Sequence, residues 1–304
     1  MKRYSELAKG AYALDEKMLQ ERTALQSDKI FNYDFQESSG TFPRPAFFLA
    51  IDEQLKCLVL SIRGTKTKIE MQIDAQWEPI QFLQYENSYV HQGILLSTRW
   101  FIDNILSRLL QLSRLFPDYK IRVVGHSLGG GIAALFTLMT KDILPGVKCV
   151  VFAPPACISG NLVKLSRECC VSFVNRNDVL PYLTHAKFTS FFFGGKFLDE
   201  SDKLSSSGGV PKDGNKRLRS YSTLPLPPAT PSSDNQQFLV QLYPPGELFH
   251  IFKSQAESFH IRRVPFDYFT NRKFPLTRTM VRHHKLDSYR HAFNTMAESP
   301  LCTL

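Results

Sequence analysis

The chain has 304 residues, of which 43% are hydrophobic and 24 are phenylalanine, and it carries a formal charge of +9. Its length and apolar content are enough to bury one large core or two modest ones. The charge is not gathered into a compact Lys/Arg run interleaved with glycines and aromatics, so no nucleic-acid partner is expected; six cysteines without a regular framework argue against a disulfide scaffold and for a reducing, cytoplasmic compartment.

From the start, residues 1 to about 30 have helical composition, with Leu7, Tyr12, Leu14, Met18 and Leu19 as an apolar stripe. The opening does not read as a signal peptide, no stretch is long and apolar enough to span a bilayer, and the termini lack lipidation patterns, so membrane contact is expected to be peripheral. Two β-rich runs, Ala46 to Ile51 and Lys56 to Ile62, flank a polar turn and form a hairpin. A helix is expected over 97–115, ended by Phe116-Pro117-Asp118, and it feeds a strand at 121–125. Lys148 to Phe152 and Val171 to Val174 are further buried strands that alternate with helical segments, the pattern of a mostly parallel sheet. Residues 199–237 are rich in Ser, Pro, Gly, Asp and Lys and too poor in apolar groups to offset their ordering entropy, so a disordered insertion is expected there. Late strands follow at 238–243, 248–252 and 259–264. The Phe188–Phe193 run reads as a strand. The whole, 1–304, reads as a single domain.

The chemistry is concentrated in Gly125-His126-Ser127-Leu128-Gly129-Gly130-Gly131, where a β-branched run breaks into a glycine-flanked serine and then a helix of small residues. This is the pattern of a nucleophile elbow, which predicts an α/β-hydrolase fold with helices on both faces of the sheet. Glycines two places either side of Ser127 are needed because a Cβ there would strike a neighbouring strand or helix. The helix start places the Leu128 N–H beside the hydroxyl, where an oxyanion would form. A serine hydroxyl is a weak nucleophile at neutral pH and needs a base oriented by a carboxylate. Asp178, just past a buried strand, fits the acid, although an Asx-type loop aspartate would look the same in isolation. For the base, the residues alone leave His185, His250, His260, His283, His284 and His291 open.

Five segments resemble the class 3 (fungal-type) lipases, and within them the diacylglycerol lipase-like branch: Ser61 to Thr65, Val90 to Gly93, Gly125 to Gly131, Asn177 to Pro181, and Leu242 to Gly246 followed by Leu276 to His284. The resemblance spans about residues 45 to 293. It implies that the catalytic histidine lies four residues after Met280, which selects His284 over His283. It implies too that Thr65 gives a second oxyanion donor beside Leu128, and that Asp74 supports that loop. Residues 66–83, with Ile69, Ile73, Trp77 and Ile80 at helical spacing, fall where such lipases carry a lid; a helix packed permanently on the core has the same signature.

The expected function is therefore a serine ester hydrolase with Ser127, Asp178 and His284 as its triad, acting on an acylglycerol, most simply diacylglycerol, and requiring no cofactor. Phospholipase A1 or triacylglycerol lipase activity is the near alternative, and an inactive lipase-fold scaffold the distant one. The local excess of Arg and Lys between 262 and 290 suits a peripheral membrane surface with anionic headgroups.

Overall fold

A computed structural model describes residues 1–35, 44–64, 78–183, 240–272 and 279–298. All of them fall in one compact unit, Met1–Phe188 with Val240–Leu304. The expected disordered insertion at 199–237 and the strand at 188–193 lie outside the described residues.

The main sheet has eight strands in the order β1-β2-β3-β6-β7-β9-β11-β12. These are β1 (Ile30–Asp34), β2 (Phe47–Asp52), β3 (Cys57–Ile62), β6 (Lys120–His126), β7 (Lys148–Phe152), β9 (Cys170–Asn175), β11 (Glu247–Lys253) and β12 (Phe259–Arg263). β3, β6, β7, β9 and β11 run parallel; β1 and β2 close one edge and β12 the other in antiparallel pairs. Strand alternation divides the interior between two faces. Phe47, Leu49 and Val123 point to one core with Phe101, Ile105 and Ile132 from the helices Gln92–Leu115 (α3) and Leu128–Thr140 (α4). Phe48, Ala50 and Val124 point to the other, filled by Leu7 of α1 (Lys2–Gly10), Leu19 of α2 (Glu16–Thr23) and Tyr289 and Phe293 of the C-terminal helix Leu286–Glu298. A smaller sheet, ordered β10-β8-β5-β4, is built from Leu242–Tyr243, Ile158–Ser159, Tyr89–His91 and Pro79–Gln81.

Several elements differ from expectation for identifiable reasons. The opening stripe is two helices, because Asp15 accepts the Met18 N–H at 2.7 Å and caps a new start. Leu14 falls in the break and is 62% exposed, whereas Leu7 and Leu19 are fully buried. Helix α3 begins at Gln92, five residues earlier than expected, since His91 accepts the Ile94 N–H as an unconventional cap. Of the expected helical lid, residues 66–77 with Ile69, Ile73, Asp74 and Trp77 lie outside the described residues, but Ile80 belongs to β4 and packs on the core. Pro79 has no N–H to donate and disfavours helix in the residue before it, so the helical spacing could not run through it.

Candidate active site

Ser127 stands between β6 and α4 with φ 59° and ψ −131°, a positive-φ turn that lifts its side chain out of the sheet. Its N–H donates to the Phe152 carbonyl at 2.9 Å and its own carbonyl accepts from Gly130 and Gly131, so backbone alone fixes the turn. The flanking glycines are sterically required: a Cβ on Gly125 would lie 2.2 Å from the Gly129 oxygen, and one on Gly129 would lie 2.3 Å from the Arg63 oxygen. Gly130 is less constrained, its nearest neighbour being the Phe152 oxygen at 3.4 Å. Leu128 opens the helix, and its N–H, in the first turn, has no acceptor within the helix.

Facing Ser127 is His284, the last residue of a five-residue helix, Met280–His284. Its Nδ1 is 2.9 Å from Asp178 Oδ1 and its Nε2 is 3.1 Å from Ser127 Oγ. A carboxylate only accepts, so Nδ1 carries the proton and Nε2 is left to accept from the serine hydroxyl. Asp178 is fully buried after β9. Burial pushes its carboxyl up, but the facing His284 and hydrogen bonds from His284, Tyr289 and the Leu180 N–H outweigh this and hold it below the usual range. The Leu180 bond, 3.0 Å to Oδ1, is an Asx turn. The Asx turn and the contact with His284 thus coexist on this one aspartate.

Most of the support behind these side chains was not legible in the sequence. The Tyr289 hydroxyl donates to Asp178 Oδ2 at 2.5 Å and accepts the Asn175 N–H at 2.9 Å; burial beside the carboxylate raises its own pKa well above the ordinary value. The Asn175 side chain donates to the His283 carbonyl and to Ser288 Oγ, tying β9 to the histidine segment. His126 donates from Nε2 to the His284 carbonyl at 2.8 Å, and Tyr12 meets its Nδ1 at 2.7 Å. Tyr289 could have been seen on the core stripe Leu286, Tyr289, Ala292 and Phe293; nothing local marks Tyr12 or Asn175.

The structure therefore brings Ser127, Leu128, Asp178 and His284 together, while Thr65 lies outside the described residues. His283 is turned into the interior, 2% exposed, with neither ring nitrogen hydrogen-bonded and its pKa pushed down to about 4 by burial and then by Arg176 and Arg282. His250 is held by the Arg176 carbonyl, and His260 is exposed on the edge strand β12. Among the described residues no group of three or more His, Cys, Asp or Glu side chains could hold a metal ion. The arrangement can activate a hydroxyl, hold an imidazolium and receive an oxyanion, which is the chemistry of acyl transfer.

This fold is that of an α/β-hydrolase. Solved structures agree on the fold: a triacylglycerol lipase whose catalytic centre is a serine-protease triad aligns with TM-score 0.62 at 16% identity, covering 92% of this chain and 90% of that one. The mono- and diacylglycerol lipase of Penicillium cyclopium, in a mutant form, aligns with TM-score 0.61 at 18% identity over 93% and 92% of the two chains. Residues 59–188 match the model for Lipase (class 3). The chain is similar to the diacylglycerol lipase-beta of Mus musculus, at 29% identity over 171 residues, 53% of this chain and 25% of the relative. It is also similar to the diacylglycerol lipase-alpha of Rattus norvegicus, at 25% identity over 241 residues, 67% of this chain and 22% of the relative. The chain thus spans about a quarter of the length of these relatives.

Proposed function

We propose that this protein is a serine lipase that hydrolyses acylglycerols, diacylglycerol foremost, and releases a fatty acid. The observation that carries the reading is the unbroken hydrogen-bonded line from Ser127 Oγ through His284 to buried Asp178, set at a positive-φ elbow. Ser127 attacks the ester carbonyl while His284 Nε2 takes its proton, and the imidazolium, oriented by Asp178, returns that proton to the leaving glycerol oxygen. The Leu128 N–H, with Thr65 as the second donor, receives the oxyanion; one such donor is worth about 100- to 1,000-fold in rate. Water activated by His284 then frees the acid. Similarity to the diacylglycerol lipases supports the choice of acylglycerol.

Exposed Arg262, Arg282 and Lys285 support peripheral attachment to anionic lipid, and five buried free cysteines support a reducing, cytoplasmic compartment. The test is fatty-acid release from diacylglycerol, triacylglycerol and phosphatidylcholine in mixed micelles by the protein and by Ser127→Ala. Release from diacylglycerol that falls by about four to six orders of magnitude in the variant is the expected result. Preference for phospholipid would replace the substrate, and release unaffected by Ser127→Ala would overturn the mechanism. Co-sedimentation with anionic vesicles that survives Arg262→Glu with Arg282→Glu would remove the membrane role.

A further inference from the structure

Tyr12 lies in the linker between α1 and α2, far in sequence from every motif of the site and before the segment 59–188 that matches the family. Its hydroxyl nevertheless accepts the Gly64 N–H at 3.2 Å and meets His126 Nδ1 at 2.7 Å. His126 in turn reaches the His284 carbonyl through Nε2 at 2.8 Å. A carbonyl only accepts, so the imidazole proton sits on Nε2. Nδ1 is then bare and takes the tyrosine proton, which leaves the phenolic oxygen lone pairs for the Gly64 N–H. Donor direction is thereby fixed at every link, from Gly64 through Tyr12 and His126 to His284. A second proton on His126 would break the Tyr12 link, and burial keeps it off by pushing the ring down to about 3.

Both ends of this line adjoin the reaction centre. Gly64 immediately precedes Thr65 and presses on the elbow so closely that a Cβ there would lie 2.7 Å from Ser127 Cβ. His284 supplies the base. The segment bearing Tyr12 is itself anchored at both sides: the Leu7 carbonyl accepts from Ser61 on β3 at 3.0 Å, and Lys9 pairs with Asp287 at 2.7 Å at the start of the helix that carries Tyr289.

We propose that Tyr12 and His126 form a positioning relay that holds the strand end at Gly64 and the base His284 at fixed places about Ser127, so that the amino-terminal segment is part of the catalytic apparatus. This rests on Ser127 being the nucleophile, as read above. Neither residue touches the reacting atoms. They act through the backbone of Gly64 and of His284, where a displacement of about 1 Å can cost 100-fold in rate.

The experiment compares wild type, Tyr12→Phe, His126→Gln and His126→Ala by turnover of a short-chain p-nitrophenyl ester, by the rate of Ser127 labelling with a fluorophosphonate, and by thermal melting. Tyr12→Phe is expected to lower kcat and the labelling rate together by about ten- to a hundredfold, with KM within about twofold. His126→Gln, which keeps an N–H for the His284 carbonyl, should retain more activity than His126→Ala. Wild-type kcat in Tyr12→Phe, or a loss of melting temperature with kcat unchanged, would overturn the relay. Should the variants fail to fold, nitrogen NMR of His126 in the intact protein decides the matter: Nε2 protonated and Nδ1 bare between about pH 5 and 8 supports it, and the opposite tautomer or a titrating ring removes it. A protein that labels with fluorophosphonate yet hydrolyses no acylglycerol would sink the substrate reading above; an unslowed label in Tyr12→Phe would then sink the relay separately.

Discussion

The two halves of the site are held by different means. The serine half, β6 to α4, is fixed by consecutive residues: a positive-φ turn, backbone hydrogen bonds to Phe152, Gly130 and Gly131, and glycines at 125 and 129 where no Cβ fits. The acid and histidine half has no such local frame. Asp178 follows β9 and His284 ends a single short helix, and what aligns them is a set of side-chain bonds that cross between remote stretches of the chain, made by Tyr289, Asn175, His126 and Tyr12. Backbone geometry makes Ser127 rigid at low cost in sequence, whereas His284 depends on buried polar partners, each of which leaves an unsatisfied group if removed.

This difference is most sharply broken at Gly129. Gly129→Ala places a methyl against two main-chain oxygens, of Arg63 at 2.3 Å and Ile62 at 2.4 Å, neither of which can rotate away. Loss of stability above about 3 kcal/mol, with loss of turnover, is expected in urea titration, while Gly130→Ala should cost under about 1 kcal/mol. Equal stability of the two variants would show that the elbow is not locked by its backbone.

Protonation probes both halves at once. Burial is the leading cause that pushes His126 down to about 3 and His250 and His283 to about 4, from 6.5. Between about pH 6.5 and 4 the unfolded chain therefore binds protons that the folded chain refuses, so stability falls with pH by up to about 1.4 kcal/mol per pH unit for each ring. Urea midpoints that stay flat from about pH 6.5 to 5 would contradict the buried neutral rings.

A smaller effect sharpens the histidine half. Tyr289→Phe deletes the donor to Asp178 and the acceptor of the Asn175 N–H, which should cost about 1–3 kcal/mol in stability and about tenfold in kcat. With one donor gone the Asp178 carboxyl is held less low, so the acid limb of the pH–rate profile should move to higher pH. An unmoved limb would assign the low carboxyl to His284 and Leu180 alone.

The same division explains what the amino-acid sequence discloses. The elbow was readable because strand, glycines, serine and helix are contiguous, and the parallel strands β6, β7 and β9 announce themselves as short β-branched runs. The base was not: residue reasoning left six histidines open, and only the resemblance, through its spacing from Met280, singled out His284. Tyr12 and Asn175 act across more than a hundred positions, as the bonds Tyr12–His126 and Asn175–Ser288 illustrate, and no local pattern encodes that. Of the small sheet only Leu242–Tyr243 fell within an expected strand, because strands of two or three residues are too short to show alternation. Other misses were avoidable: Pro79 argued against a helix through Ile80, and the C-terminal helix carries a plain apolar stripe.

The positive φ of Ser127 has a consequence for how such a protein ages over generations. A non-glycine residue in that conformation carries strain of about 1–3 kcal/mol, and glycine does not. If the proposed turnover were no longer required, Ser127→Gly would be both permitted and stabilising, so the first mark of a decayed copy should be a glycine at 127 with the rest of the fold intact. A serine kept at such a position, where glycine would relieve the backbone, is the outcome expected when the hydroxyl itself is needed.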